Sequence, residues 1–175
     1  GSGARTPSSA GLVEPSPFFP NDSEGAGVRA DTACAQLVAS AAELAASAAG
    51  SALLRHAMDV GGTTTALGIA AALAGSICKL VRSPHACRLL GQLVSCVGAE
   101  NSACIAMELC TNAPQAAANV HGNAVVCQLL ECDAAAPSTQ ALIDYVLVGD
   151  AAALCRHKFG HRVAMAIVTH GVPKH

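Results

Sequence analysis

One short pattern recurs four times along this chain at a nearly constant interval. Its clearest copy, at 121–126, reads His-Gly-Asn-Ala-Val-Val: a glycine, a short polar residue, a small residue and two apolar residues. The residue in the place of this asparagine is Ser51, Cys87, Asn123 or His161, so the copies lie 36, 36 and 38 residues apart. A period of this length is typical of stacked-repeat proteins, in which each unit buries its apolar face only against its neighbours.

The composition of the chain favours helices. It has 175 residues, of which 52% are hydrophobic but only 2% aromatic, and it is rich in alanine. Alanine is the strongest helix former, and the Val-Ile-Thr runs that are typical of strands are scarce. The length is enough for one domain. We therefore predict an all-α chain of thin, closely packed helices.

The repeated pattern resembles the Pumilio (PUF) repeat family, whose repeats have about this length and hold three helices each. The likeness is clearest at 121–126 and at 157–163, and it runs from about residue 32 to residue 171. It implies a right-handed α-solenoid of about four three-helix repeats, with partial repeats at both ends. The repeat domain would cover 31–175, after a flexible Pro/Gly/Ser-rich extension over 1–30.

Two stretches leave alternatives open at this stage. Phe18-Phe19, between Pro17 and Pro20, could anchor the extension on a neighbouring molecule or pack on the first helices of its own chain. The 19 residues from 60 to 78 carry no charge, a length that suits a membrane span. The repeat phase instead places a break at Gly61-Gly62 and a third helix over 63–74, so no membrane span is expected.

In the Pumilio family, the middle helix of each repeat carries a five-residue motif that meets one RNA base. The first and fifth motif residues touch the edge of the base, and the second stacks between bases. Carried over by position, the first residues are Ser51, Cys87, Asn123 and His161. The second residues are Ala52, Arg88, Ala124 and Arg162. The fifth residues are Arg55, Gly91, Cys127 and Met165.

The fifth motif position departs from the family, which mostly has Gln or Glu there. Among the four, Arg55 is the strong donor to a base edge. Gln92 and Gln128 come one residue after the fifth position, about 100° further round the helix, and are expected to point away from the RNA-facing side. The resemblance therefore implies contact with RNA mainly through backbone and stacking, with weak sequence specificity.

The basic residues cluster around the second and fourth motifs. Lys79, Arg82 and Arg88 form one group, and Arg156, Lys158 and Arg162 form the other. Between the two groups the chain has acidic residues but no Lys or Arg, an arrangement that suits a grip on phosphates without base reading. Arg82, Arg156 and Lys158 are predicted phosphate contacts, and Arg88 and Arg162 predicted stacking or phosphate contacts. The net charge of −2 counts against strong binding.

Metal and catalytic chemistry are not indicated by the sequence. His157 and His161 are four residues apart and Cys155 is near, but a zinc site needs three or four ligands. The nine cysteines include no Cys-x-x-Cys pair, and they are expected to be free thiols in a reducing intracellular compartment, the cytoplasm or an organelle. No cofactor is expected. The sequence contains no nucleophile elbow and no phosphate loop, so we do not expect an enzyme.

A second function is compatible with the same repeats. The chain begins Gly-Ser-Gly rather than with Met, so we expect a processed product or a fragment. No polar cap closes either end of the predicted solenoid, although stacked repeats need one. A structural adaptor would stack other protein subunits on these open ends within a large complex, such as a ribonucleoprotein or organellar assembly. The sequence thus leaves RNA binding as the first hypothesis and an adaptor as the alternative.

Overall fold

The structure, a computed structural model, describes residues 1, 32–33, 35–148 and 150–172. The predicted extension over 1–30, with Phe18-Phe19, lies outside these residues apart from Gly1. Residues 35–39 are helical. The helices that follow are α1 (Ala41–Ala45), α2 (Ala48–Leu73), α3 (Ile77–Leu80), α4 (Pro84–Cys110), α5 (Ala113–Ala118), α6 (Gly122–Asp133), α7 (Pro137–Leu147), α8 (Ala151–Arg156) and α9 (Gly160–His170). No strand occurs among the described residues, and the all-α prediction is confirmed.

The two longest helices, α2 and α4, are each broken in the middle by a glycine. Gly62 has φ 61° and Gly98 has φ 73°, a left-handed conformation that only glycine adopts at little cost. The two glycines lie one repeat apart, and each separates the motif helix from the third helix of its repeat. The predicted break at Gly61-Gly62 is confirmed.

The third repeat connects its motif helix to its third helix without a glycine. There the chain leaves α6, and the Asp133 Oδ1 accepts a hydrogen bond from the Ala135 N–H at 2.9 Å. Pro137 then begins α7 at a position where its missing N–H costs nothing.

The glycine that precedes the motif lies where two helices of a repeat approach closely. A Cβ added at Gly122 would lie 2.8 Å from the carbonyl oxygen of Ala116, and one at Gly160 would lie 2.9 Å from that of Leu154. Real Cβ atoms essentially never come this close to such an atom. Glycine therefore permits the sharp turn from the first helix into the motif helix in the third and fourth repeats, whereas the second repeat has Ala86 at this position.

The core runs along the stack between neighbouring repeats. The motif helices pack side by side, α4 against α2 and α6, and α9 against α6. Their third and fourth motif positions supply many of the buried side chains, including Leu54, Leu89, Leu90 and Val163, whereas Leu53 at the third position of the first motif is 45% exposed. Each buried leucine contributes about 1.5–3 kcal/mol through removal of apolar area from water. This pairwise packing orders the motif helices in one row.

The uncharged stretch over 60–78 does not form a single helix, because it is broken at Gly62 and turns again at Gly75, which has φ 80°. Among the described residues, α4 alone is long and apolar enough to cross a membrane. Its apolar residues are partly buried against the neighbouring helices, and Gly98 divides it. The absence of a membrane span remains a prediction.

Candidate nucleic-acid interface

The second motif position is exposed on all four motif helices, at Ala52, Arg88, Ala124 and Arg162. Because these helices lie in one row, the four residues follow one another along a single side of the stack. We define the motif face as these four residues together with Arg55, Gln92 and Gln128, which lie among them. The basic charge at the centre of this face comes from Arg55 and Arg88.

A hydrogen-bonded chain of three side chains crosses the motif face between the first two repeats. The Nε of Arg55 donates to the Oε1 of Gln92 at 2.8 Å. The Nε2 of Gln92 in turn donates to the Oδ1 of Asp59 at 2.7 Å. Gln92 lies on α4, whereas both of its partners lie on α2, so the amide joins two repeats.

The prediction that Gln92 and Gln128 point away from this side was wrong. Both line the same shallow cavity of about 420 Å³ as Arg55 and Arg88. The residue after the fifth position faces the preceding motif helix, and the long side chain of Gln92 bridges that gap. The position of a residue around the helix predicts the direction of its Cα–Cβ bond. It does not predict how far a long side chain extends towards the neighbouring repeat.

Small residues leave room at the centre of this cavity. Cys87, Gly91 and Ala124 complete its lining, and a Cβ built at Gly91 would meet no atom within 4 Å. Arg55 is half-buried and Arg88 is exposed. The cavity is therefore open to solvent, with arginine and glutamine side chains in its lining.

Arg162 repeats this arrangement between the third and fourth motif helices. Burial raises the pKa of the Cys127 thiol, the Arg162 guanidinium lowers that pKa, and Glu131 raises it. The second residue of the fourth motif thus lies near the fifth residue of the third motif, as Arg88 lies near Arg55. Neither Arg88 nor Arg162 makes a hydrogen bond or ion pair within the part of the chain that the structure describes.

Three of the four first motif residues are buried, at Ser51, Cys87 and Asn123, with 2%, 6% and 0% of their surface exposed. The Ser51 Oγ donates to the carbonyl oxygen of His85 at 2.8 Å. The Asn123 Nδ2 donates to the carbonyl oxygens of Asn119 and Val120 at 2.7 and 3.0 Å. These side chains join main-chain segments, and their burial removes them from the set of exposed candidate contacts.

His161, the first residue of the fourth motif, is exposed. Among the described residues no later repeat covers it, and one ring nitrogen lies 3.3 Å from the carbonyl oxygen of His157. The contrast with Asn123 shows that stacking, more than residue type, decides whether a first motif residue is accessible. His161 therefore remains a candidate contact.

The predicted phosphate contacts lie near the start of the second and fourth motif helices. Arg82 is exposed and lines a cavity of about 180 Å³ beside Asn112, Gln115 and Asn119. The Arg156 Nη2 is 3.7 Å from the Asp150 Oδ2, and both side chains are largely exposed, so solvent screens this pair. The Lys158 Nζ lies 5.3 Å from the centroid of the Phe159 ring, within the range of a cation–π contact.

No known family profile and no curated protein matches this sequence. Solved structures do match its fold. A Puf4 RNA-binding domain bound to the HO endonuclease RNA 3′ UTR recognition sequence matches with a TM-score of 0.73 and 19% identity, over 87% of this chain and 47% of that one. PUF-8 in complex with PBE-RNA matches with a TM-score of 0.75 and 18% identity, over 82% and 42%.

A mutant Puf4 bound to the Cox17 RNA 3′ UTR recognition sequence gives a TM-score of 0.72 and 21% identity, over 83% of this chain and 45% of that one. The fold is that of a Pumilio solenoid. The chain spans less than half the length of the solved domains it matches. At these identities the likeness establishes the fold and not the activity.

The Pumilio fold accounts for the order of the described helices. The first and second repeats each consist of a short helix followed by the two halves of a glycine-broken helix, and the third repeat consists of α5, α6 and α7. The fourth repeat contributes α8 and α9, and residues 35–39 precede the first. The predicted solenoid of about four repeats with partial repeats at its ends is confirmed.

The described residues contain no group of three His, Cys, Asp or Glu side chains that could hold a metal ion. His157 uses its Nδ1 to accept hydrogen bonds from the N–H groups of Phe159 and Gly160, both at 3.2 Å. This contact shapes the turn into α9. Local backbone geometry thus accounts for His157.

Proposed function

We propose that this chain binds RNA through its motif face, mainly by contact with phosphates and by stacking of arginine on bases. The observation that carries the proposal is the pair Arg88 and Arg162. Both occupy the second motif position, both are exposed, and neither has a hydrogen-bond or ion-pair partner among the described residues. The RNA-bound state of the solved Puf4 and PUF-8 structures supports the proposal.

The chemistry of the face suits sequence-tolerant binding. A guanidinium is planar and permanently charged, so it can stack on a base or pair with a phosphate. Ala52 and Ala124 offer neither interaction, and the two free arginines therefore act at alternate repeats. We propose Arg82, Arg156, Lys158 and His161 as additional contacts with phosphates.

Binding of short single-stranded RNAs of mixed sequence, measured by fluorescence anisotropy at two salt concentrations, tests this proposal. The double substitution Arg88→Ala plus Arg162→Ala is expected to weaken binding about tenfold or more, because base stacking on such a side chain is worth about 1–3 kcal/mol. The control Met107→Glu plus Tyr145→Glu lowers the net charge by the same amount on a different surface, and its affinity is expected to stay near that of the unmodified chain. Equal affinities for all three proteins would reject RNA binding through the motif face.

A second candidate function, a protein adaptor, is favoured by exposed apolar residues away from the motif face. Met107 belongs to two neighbouring cavities of about 680 and 560 Å³ along the second half of α4 and the adjoining α7. Tyr145 and Val148 line the second of these and are 54% and 81% exposed. At the end of the described stack, Val168 on α9 is 81% exposed.

The adaptor hypothesis makes a separate prediction. Apolar surfaces of this kind are expected to associate, so sedimentation of the isolated chain should show self-association that increases with concentration. Met107→Glu plus Tyr145→Glu, or Val168→Glu, should reduce it. A monomer at all concentrations, combined with salt-dependent RNA binding, would leave RNA binding as the better account.

A further inference from the structure

Gln92 holds Arg55 in one orientation on the motif face. An arginine only donates hydrogen bonds and a carboxylate only accepts them, so the oxygen of the Gln92 amide must face Arg55 and its nitrogen must face Asp59. The observed distances of 2.8 and 2.7 Å fit this assignment. The amide therefore cannot flip without losing both hydrogen bonds.

The bond from Gln92 uses only the Nε of Arg55. Two terminal nitrogens with four N–H groups remain, and they have no other hydrogen-bond partner among the described residues. The plane of the guanidinium is defined by its anchored Nε, so these nitrogens present parallel donors in a fixed direction. Such a pair matches two adjacent acceptor atoms.

The other two arginines of the motif face lack an anchor of this kind. Arg88 and Arg162 are exposed and unpartnered in the described structure, so they can follow acceptors in many positions. A donor pair that is already oriented loses less conformational freedom on binding and rejects misplaced acceptors. Space for a ligand group is present beside Arg55, because Gly91 leaves the centre of the cavity open.

We propose that Gln92 and Asp59 are positioning residues that make Arg55 the discriminating contact of the motif face. The inference rests on the proposed RNA binding. The ligand of Arg55 is a pair of adjacent acceptors on one nucleotide, supplied either by the edge of a base or by a phosphate. Arg88 and Arg162 supply affinity, whereas Arg55 supplies selectivity.

Two variants separate a positioning role from a structural one. Gln92→Met keeps the length of the side chain and removes both hydrogen bonds. Gln92→Glu combined with Asp59→Asn reverses the hydrogen bond between residues 92 and 59. The carboxylate at position 92 still accepts from Arg55, and it also accepts from the amide nitrogen at position 59. The melting temperature of each variant is measured first, so that binding is compared only between folded proteins.

The readout is the enrichment of a randomised pool of short RNAs, followed by sequencing. The unmodified chain is expected to enrich one base several-fold at a single position of the RNA. Gln92→Met is expected to lose that enrichment, although its affinity should still depend on salt. The double variant Gln92→Glu plus Asp59→Asn is expected to retain the enrichment. If no base is enriched, RNAs in which a single phosphate is replaced by a neutral methylphosphonate test whether Arg55 contacts a phosphate. Replacement at one linkage should then weaken binding to the unmodified chain but not to Gln92→Met.

The outcomes separate the two proposals. If the unmodified chain binds no RNA, both the proposed function and the role of Gln92 fail. If the chain binds RNA and Gln92→Met matches it at every base and every linkage, only the positioning role fails. Loss of selectivity in Gln92→Met with recovery in the reversed pair supports the role.

Discussion

The hydroxyl of Ser51 donates a hydrogen bond to the main-chain carbonyl oxygen of His85 at 2.8 Å, across the seam between the first two repeats. Ser51 occupies a motif position that the Pumilio resemblance assigns to base contact, yet it is 2% exposed. Its present partner is the backbone of the next repeat. The stack has therefore placed a candidate RNA contact in an inter-repeat joint.

Ser51→Ala is expected to lower the free energy of unfolding by about 0.5–1.5 kcal/mol, because it removes the hydrogen bond that the buried Ser51 hydroxyl makes to the next repeat. Urea unfolding followed by circular dichroism measures the change. Ser95→Ala is the control, since the exposed Ser95 hydroxyl bonds only to Gly91 within its own helix, and a change below about 0.5 kcal/mol is expected there. A loss of RNA affinity in a fully folded Ser51→Ala protein would contradict the structural role.

Two glycines of α4 should respond in opposite ways to alanine. Gly91 lies within the helix with open space around its Cβ position, so Gly91→Ala should stabilise the fold by about 0.5–1 kcal/mol. Gly98 has φ 73°, and Gly98→Ala should destabilise by about 1 kcal/mol or more. Thermal unfolding of the two variants side by side measures both signs, and a stabilised Gly98→Ala protein would contradict the break in α4.

Charge and shape at Arg88 can be separated by two substitutions. Each phosphate contact with single-stranded nucleic acid changes the slope of log affinity against log salt by about 0.7. Arg88→Ala should therefore reduce that slope by about 0.7, whereas Arg88→Lys should keep the slope and lose the part of the affinity that comes from stacking. Titrations at several salt concentrations distinguish the two, and an unchanged slope in Arg88→Ala would argue against a phosphate contact.

Buried thiols predict a loss of stability at high pH. Burial raises the pKa of Cys87 from 9.0 to about 12, and burial also raises the pKa of Cys110 and Cys127. Between these values the unfolded chain loses the Cys87 proton while the folded chain keeps it. The stabilisation is thus complete below about pH 9 and falls as the pH rises towards 12.

Urea unfolding at about pH 7.5, 9 and 10.5 measures how the free energy of unfolding falls as the pH rises above the unfolded pKa of the thiol. Cys87→Ala should reduce the slope of stability against pH, and Cys96→Ala should not, because Cys96 is exposed. Alkylation under native conditions gives a second check: the exposed Cys96, Cys104 and Cys155 should react well before Cys87 and Cys110. A pH-independent stability would reject the burial of Cys87.

Much of the fold follows from local rules that act within one repeat. The alanine-rich composition favours helices, and the glycine before the motif permits a close approach to the preceding helix. Gly62 adopts the left-handed conformation that the turn after the motif helix needs. In most of the motifs the two apolar positions face the core, because adjacent residues lie only about 100° apart on a helix and fit within one apolar stripe. The motif itself recurs every 36 to 38 residues, so the number of repeats and the all-α class could be predicted without coordinates.

The exposure of the first motif residues could not be predicted in this way, because it depends on what the next repeat covers. Asn123 and His161 hold the same motif position, yet Asn123 is fully buried and His161, at the end of the described stack, is exposed. The period and composition already determine a helical solenoid, since both act through neighbouring residues. Only the packing of α4 on α2 decides that Gln92 meets Arg55, because these side chains are 37 residues apart and come together across a seam between repeats.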